Sequence, residues 1–142
     1  DEPTTALDVT IQAQILRLLR DLQQQFDLSI VLITHNLGVV AQTCDRLAVL
    51  YAGRVAESGP TREIFNNPQH PYTRGLMAAI PRPGSRGQKM EAIPGTVPAN
   101  PGAVTGCPFA PRCAHAFERC QVETPPLFDV DEGHKAACFL VK

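Results

Sequence analysis

Residues 1–8 read DEPTTALD, and this stretch decides how the first part of the chain is interpreted. Two adjacent acidic residues precede a Pro-Thr-Thr turn, and Asp8 stands directly before a segment with helical periodicity. In residues 9–26 apolar side chains recur at spacings of three and four, which predicts an amphipathic helix. The Asp8 carboxylate can accept hydrogen bonds from the free N–H groups of the first turn, so Asp8 is the predicted N-cap.

The segment after this helix is short and apolar on both faces. Residues 28–34 are rich in β-branched side chains, which is typical of a strand inside a parallel sheet covered by helices. The polar sequence Thr34-His35-Asn36 follows at once. A helix followed by a buried strand predicts the α/β class. Further along, the pattern predicts short elements at residues 36–44 (helix), 47–51 and 54–57 (a hairpin), 61–65 (helix) and 71–80 (helix, stopped by Pro81).

Three ionisable side chains are expected to converge at one edge of the predicted sheet. In open α/β folds ligands bind beyond the carboxyl ends of the strands, where His35 lies and where Asp1 and Glu2 would end the preceding strand. Phosphoryl transfer needs a carboxylate for the metal, a group that orients water, and a donor to the γ-phosphate. Asp1 fits the first role through Mg²⁺ and its waters, and Glu2 fits the second as general base. His35 fits the third role.

These motifs resemble those of ABC-type ATPases. Asp1-Glu2 and Thr5-Ala6-Leu7-Asp8 resemble the end of the Walker B motif and the D-loop, and His35 stands where that family carries its switch histidine. An acidic turn or a strand-end histidine alone is usually structural, but their order along the chain favours the family. The resemblance implies the C-terminal half of a P-loop (ABC-type) nucleotide-binding domain, with ATP and Mg²⁺ as cofactors. It also implies that Asp8 lies in a loop that crosses a dimer interface.

Several motifs of the same family are absent from the sequence. No Gly-x-x-x-x-Gly-Lys-Ser/Thr loop, no Leu-Ser-Gly-Gly-Gln signature and no glutamine loop occur in these 142 residues. We therefore expect the chain by itself to bind ATP poorly and to hydrolyse none. The activity would belong to a longer parent protein.

The later part of the sequence narrows the resemblance. Residues 67–73 read NPQHPYT, residues 93–95 read IPG, and residues 107–113 read CPFAPRC. These elements resemble the C-terminal extension of bacterial oligopeptide/dipeptide importer ATPases. The resemblance implies two regions, an ATPase part at 1–66 and the importer extension at 67–142.

The same resemblance implies partners and a location. The parent would energise import of dipeptides or oligopeptides through integral-membrane permease subunits, together with a second ATPase subunit in a homodimer or heterodimer. A periplasmic or extracellular peptide-binding protein would deliver the solute. The protein would lie peripherally at the cytoplasmic face of the inner membrane.

Four cysteines in the extension are candidate metal ligands: Cys107, Cys113, Cys120 and Cys138. Their spacing lacks the paired Cys-x₂₋₄-Cys pattern of structural zinc. Iron–sulfur clusters need four thiolates but tolerate varied spacing, and the resemblance permits a [4Fe–4S] cluster here. Zinc, with His115 or His134 as further ligands, and plain reduced thiols are the alternatives.

Proline dominates the same part of the chain. Nine of the 13 prolines fall between residues 81 and 126, so this stretch is predicted to contain no regular helix and no central strand. The extension is therefore expected to be an irregular Pro/Cys-rich segment that the parent domain or a metal holds in place.

Composition argues against one class of function, and the sequence leaves two alternatives to the importer open. The 13 basic and 14 acidic side chains give a formal charge of −1, which argues against a nucleic-acid partner. Besides the peptide importer, the sequence leaves open a metal-binding (Fe–S or Zn) regulatory or redox module that retains an inactive ATPase remnant. A soluble ABC ATPase without a transport role is a weaker alternative.

Overall fold

The computed structural model describes residues 1–80 and 92–141. The chain divides into two compact units, Asp1–Asp45 and Arg46–Lys142. The first unit contains helices α1 (Val9–Phe26) and α2 (Leu37–Thr43). Asp8 caps α1, since one carboxylate oxygen accepts from the backbone N–H groups of Thr10 and Ile11 at 2.9 Å each. The predicted first helix and its cap are confirmed.

The strand predicted at residues 28–34 is not formed. The described part of this segment carries no strand assignment, and its side chains are largely exposed, Val31 by 87 %. One backbone bond ties it to the start of the chain, because Glu2 N–H donates to Ile33 O at 2.8 Å. A strand needs neighbours that exchange backbone hydrogen bonds, and an apolar segment without them stays extended and solvated.

The second unit is built on an antiparallel sheet of four strands in the order β1-β2-β4-β3. Its strands are β1 (Arg46–Tyr51), β2 (Arg54–Pro60), β3 (Phe128–Asp131) and β4 (His134–Ala136). Strands β1 and β2 turn at Ala52 and Gly53, with φ of 49° and 74°. Positive φ at both positions matches the twist of the flanking strands, and the predicted hairpin is confirmed.

The extension is more regular than its prolines suggest. Strands β3 and β4 and helix α5 (Glu118–Val122) fall where the sequence predicts irregular structure, so that expectation is wrong for these residues. Strands of three or four residues are too short to show a clear alternation. Strand β4 is stabilised by pairing with β2, where Glu57 lies opposite Ala136 and Ala137 N–H donates to Ala56 O at 2.8 Å, and β3 pairs with β4.

Two more helices follow the hairpin, α3 (Thr61–Asn66) and α4 (Pro71–Ala78). Helix α4 begins at Pro71 as predicted, while its predicted stop at Pro81 lies outside the described residues. Single 3₁₀ turns occur at Pro101–Ala103, Ala110–Arg112 and Phe139–Val141. No helix in the described part of the chain has both the length and the apolar character needed to cross a membrane.

Aromatic rings join the hairpin to the extension. Tyr51 packs edge-on against Tyr72 and Phe109, with ring centroids 4.7 and 5.2 Å apart. Tyr72 therefore anchors α4 on the sheet. A second cluster of Ala110, Cys120 and Phe139 lies within the extension.

Candidate functional site

Glu2 and His35 are in direct contact. His35 Nδ1 lies 2.8 Å from Glu2 Oε1, and the Thr5 hydroxyl donates to Glu2 Oε2 at 2.8 Å. The hydrogen bond from His35 lowers the pKa of the Glu2 carboxyl most, followed by that from Thr5, so Glu2 is ionised at neutral pH. Both side chains are open to solvent, Glu2 by 44 % and His35 by 76 %. The convergence predicted for these two residues is thus present.

This contact determines where the His35 proton lies. An ionised Glu2 only accepts hydrogen bonds, so Nδ1 of His35 is the donor between them. A neutral imidazole has one N–H, which leaves Nε2 as an acceptor. His35 can therefore donate from Nε2 to an anion only if the ring gains a second proton or if Nδ1 leaves Glu2.

Of the other two predicted residues, Asp1 precedes Glu2 in the sequence and Asp8 lies between Glu2 and His35. Asp1 is exposed next to Glu2, and Asp8 is exposed at the start of α1. Asp8 uses Oδ1 for the helix cap, which is by itself a sufficient structural reason for an aspartate at this position. The proposed magnesium role of Asp1 and interface role of Asp8 remain predictions.

The second candidate site is a cavity of about 20 Å³ in the extension, which is room for about one water molecule. Its lining brings together cysteines that are far apart in the sequence, from Cys107 to Cys138. The side chains that line it with polar or sulfur atoms are Cys107, Cys113, Cys120, Cys138, His70 and His115. The four cysteines singled out from the sequence therefore share one cavity.

Backbone N–H groups are directed at the cysteine sulfurs. The Cys107 sulfur accepts from Phe109 and Ala110, the Cys113 sulfur from His115, and the Cys138 sulfur from Leu140. Burial nevertheless raises the pKa of all three thiols, and these hydrogen bonds offset the rise only in part. These three thiols are therefore protonated at neutral pH, so a metal would have to displace their protons to bind.

The donor set suits a soft metal, but the side chains are not closed around one. Among the residues that the structure describes, no three His, Cys, Asp or Glu side chains are arranged to hold a metal ion. A tetrahedral zinc site, with Zn–S about 2.3 Å, brings its sulfurs to about 3.8 Å from one another.

His134, which the sequence offers as a zinc ligand, is already engaged elsewhere. Its Nε2 lies 2.7 Å from Glu57 Oε1, and both side chains are almost completely buried. The same carboxylate accepts from the backbone N–H groups of Gln69 (2.8 Å) and His70 (2.9 Å). Glu57 thus joins β2, β4 and the approach to α4. Glu57 was not predicted from the sequence, although a charged side chain inside a predicted strand is a signal that could have found it.

His70 connects this buried network to the cysteine cavity. Its Nδ1 accepts from Tyr72 N–H at 3.0 Å and so caps α4. Burial lowers the pKa of the imidazole to about 4, against a smaller upward effect of the Glu57 charge. His70 is therefore a neutral, buried ring that lines the cavity of the four cysteines.

Comparisons with known proteins agree with these features. Residues 56–120 match the family described as the oligopeptide/dipeptide transporter, C-terminal region. The chain is 52 % identical to the oligopeptide transport ATP-binding protein OppD of Salmonella typhimurium over 98 % of its own length and 41 % of that protein. It is 49 % identical to the dipeptide transport ATP-binding protein DppD of Bacillus subtilis, over 99 % of the chain and 42 % of the relative.

The chain thus spans about two fifths of the length of the curated relatives that it matches. Each of these relatives is named as an ATP-binding protein, which gives no support to a metal-binding module with an inactive ATPase remnant. Over almost its whole length the chain is thus similar to part of the ATP-binding proteins of oligopeptide and dipeptide transport, and its residues 56–120 match the transporter's C-terminal region.

Proposed function

We propose that this chain is part of an ATP-hydrolysing subunit that energises the import of dipeptides or oligopeptides. The observation that carries the proposal is the hydrogen bond between Glu2 and His35 at 2.8 Å, because it joins the two residues assigned to hydrolysis. The names of the relatives supply the solute class. By themselves, the 142 residues are expected to hydrolyse no ATP, since they contain no phosphate-binding loop.

In this proposal each residue of the first site has a separate task. Glu2, ionised at neutral pH, accepts a proton from the attacking water and holds it in line with the γ-phosphate. Thr5 fixes the second carboxylate oxygen, which limits the rotation of Glu2. Asp1 would hold Mg²⁺ through water, and the bound ion would offset charge on the phosphates.

His35 has two possible hydrogen-bonding states in this scheme. While Nδ1 donates to Glu2, a neutral ring presents an acceptor at Nε2 and cannot donate to the γ-phosphate. His35 gains the donor that the phosphate requires in one of two ways. Either Nδ1 leaves Glu2, or the ring takes up a second proton. The Glu2–His35 bond would therefore hold the site in a resting arrangement until the nucleotide is in place.

The rest of the ATPase domain is expected to cover the first unit. Exposed apolar side chains on α1 and on residues 28–33 would pack against the preceding sheet and helices of the parent, with 1–66 as the ATPase part and 67–142 as the extension. The D-loop role of Asp8 requires a second ATPase subunit. The parent would bind the permease at the cytoplasmic face of the inner membrane and depend on an extracellular or periplasmic peptide-binding protein.

Peptide uptake tests this proposal. In cells of the source organism, deletion of the gene should abolish uptake of a labelled dipeptide or tripeptide, and the intact gene should restore it. A copy with Glu2→Gln should fail to restore uptake, whereas Glu63→Gln, an exposed glutamate of α3, should restore it fully. Normal uptake in the deletion strain would exclude the transport role and would favour an ABC ATPase without one.

The shared cavity of four cysteines supports a second proposal. We infer a metal centre with Cys107, Cys113, Cys120 and Cys138 as ligands, an iron–sulfur cluster first and zinc as the alternative. A soft metal bound there would tie strand β4 and helix α5 to the loop that contains Cys107 and Cys113, and the binding free energy would add to stability. Iron, sulfide and zinc analysis of the anaerobically purified whole protein tests it. Cys113→Ser should remove the metal, and Cys44→Ser should not.

A further inference from the structure

Each oxygen of the Glu2 carboxylate has a hydrogen-bond partner of its own. His35 Nδ1 lies 2.8 Å from Oε1, and the Thr5 hydroxyl donates to Oε2 at 2.8 Å. The last torsion of a glutamate side chain has a broad energy profile, so a single contact leaves the carboxylate free to rotate. Two partners on different oxygens fix its plane. Within the part of the chain that the structure describes, Thr5 is the one side-chain donor to Oε2.

A short turn brings Thr5 back to Glu2. The Thr5 N–H donates to Glu2 O at 3.2 Å, so Thr5 contacts both the main chain and the carboxylate of Glu2. The Glu2 N–H donates to Ile33 O at 2.8 Å, two residues before His35. These main-chain bonds hold the turn and the histidine segment in place without the Thr5 hydroxyl. Because Thr5 is also exposed, we expect its hydroxyl to contribute little to stability.

The same turn has an unfavourable backbone conformation at two residues. The φ angle is 39° at Glu2 and 63° at Ala6, which is the left-handed region that residues other than glycine rarely adopt. Strain of this kind persists only where neighbouring contacts hold it, and it is concentrated at functional sites. Thr5 directly precedes Ala6, so the strained turn is the one that directs its hydroxyl at Oε2.

We propose that Thr5 is a positioning residue for ATP hydrolysis, which sets the turnover rate and leaves ATP binding unchanged by holding the Glu2 carboxylate in one orientation. The inference rests on the proposed function, in which Glu2 is the general base. A base in a fixed orientation meets the attacking water with the same geometry in every turnover, whereas a misplacement of about 1 Å can cost about 10²-fold in rate. Thr5 contacts no reacting atom in this scheme and acts through Glu2.

The competing role for Thr5 is a direct contact with the nucleotide or with a second ATPase subunit. Its exposed hydroxyl is accessible to such a partner. In that case the loss of the hydroxyl would raise KM, or it would slow hydrolysis equally whether or not the Glu2 carboxylate is present.

Three substitutions separate these roles. Thr5→Val removes the hydroxyl and keeps the β-branched shape, whereas Thr5→Ser keeps the hydroxyl. Thr96→Val, at an exposed threonine of the second unit, is the matched control. Steady-state ATP hydrolysis by the whole protein gives kcat and KM for each variant, and the thermal midpoint shows whether each is folded. Thr5→Val is also measured in the Glu2→Gln background.

The proposal expects Thr5→Val to lower kcat about 10-fold, the loss typical of one hydrogen bond to a charged group, with KM and the thermal midpoint unchanged. Thr5→Ser and Thr96→Val should keep the wild-type kcat. In the Glu2→Gln background, Thr5→Val should cause no further loss, because a residue that acts only through Glu2 is not additive with it.

Three results would overturn the role of Thr5: a wild-type kcat in Thr5→Val, an equal loss in Thr5→Ser, or the same loss in both Glu2 backgrounds. Failure of the proposed function gives a different result, namely wild-type hydrolysis in Glu2→Gln itself. Slow hydrolysis in Glu2→Gln together with normal hydrolysis in Thr5→Val would contradict this inference alone.

Discussion

The two units of the chain use glutamate–histidine pairs in opposite ways. Glu2 and His35 form a pair that is open to solvent, among apolar side chains that are also exposed. Glu57 and His134 form a pair that is almost fully buried, with backbone donors around the carboxylate. The distances, 2.8 and 2.7 Å, are almost equal, so geometry alone does not separate function from structure. Burial does, because the Glu2 side chain is 44 % exposed and the Glu57 side chain is 0 % exposed.

The largest expected effect concerns the exposed pair. Glu2→Gln keeps the size of the side chain and its hydrogen-bonding oxygen but removes the base, so ATP hydrolysis by the whole protein should fall about 10²- to 10⁴-fold. Stability should change little because the group is exposed. Steady-state phosphate release measures the effect, with Glu63→Gln as the control that should hydrolyse at the wild-type rate. Unchanged hydrolysis in Glu2→Gln would mean that the exposed pair has no catalytic role to set it apart from the buried pair.

Substitution of Glu57 should lower the stability of the protein, which substitution of Glu2 should leave almost unchanged. Glu57→Ala leaves three buried donors without an acceptor and should lower the free energy of unfolding by about 3 to 5 kcal/mol. Chemical denaturation of the whole protein, followed by near-ultraviolet circular dichroism, measures this loss. The exposed Glu118→Ala should cost less than about 0.5 kcal/mol. If both substitutions cost the same, the buried network contributes no more to stability than a surface charge.

The second unit also contains a backbone constraint next to the first cysteine. Gly106 has φ of 80°, and a Cβ there would lie 2.5 Å from Cys120 O. Gly106→Ala should therefore cost more than about 2 kcal/mol, from the left-handed backbone together with the overlap. Gly53→Ala is the matched control, because φ is 74° but open space surrounds the position, so about 1 kcal/mol is expected. Equal losses in thermal denaturation would mean that the overlap is relieved by a small shift of the α5 backbone.

The smallest expected effect separates two roles of Asp8. Asp8→Ala removes the α1 cap and should cost about 1 kcal/mol, whereas Asp8→Asn keeps the capping oxygen and should cost little. If Asp8 also acts across a subunit interface, Asp8→Asn should slow ATP hydrolysis without lowering the thermal midpoint. Wild-type hydrolysis in Asp8→Asn would reduce the role of Asp8 to the cap.

Local sequence signals predicted the elements that depend on local interactions. The spacing of apolar residues and Asp8 predicted the bounds of α1, Ala52-Gly53 predicted the hairpin turn, and Pro71 predicted the start of α4. The contact of Glu2 with His35 was also expected, but from a sheet edge that residues 28–34 do not form here. For α1, the hairpin turn and the start of α4, the decisive physical cause lies within a few residues.

Features that depend on distant partners were not predictable in the same way. The segment at 28–34 has the composition of a buried strand, but a strand forms only when its neighbours are present. Strands β3 and β4 are too short to be recognised. Strand β4 forms because β2 offers an edge for pairing, and β3 forms on β4. Glu57 contacts His134 across 77 positions, a pairing that no local pattern indicates.

The central claim is that the exposed Glu2–His35 pair forms the hydrolytic unit. The most direct test is a double-mutant cycle of ATP hydrolysis by the whole protein, with Glu2→Gln, His35→Ala and the double variant. Residues that act as one unit are not additive, so the double variant should hydrolyse ATP no more slowly than the slower single variant. A double variant whose loss equals the product of the two single losses, or a Glu2→Gln protein with wild-type hydrolysis, would contradict the claim.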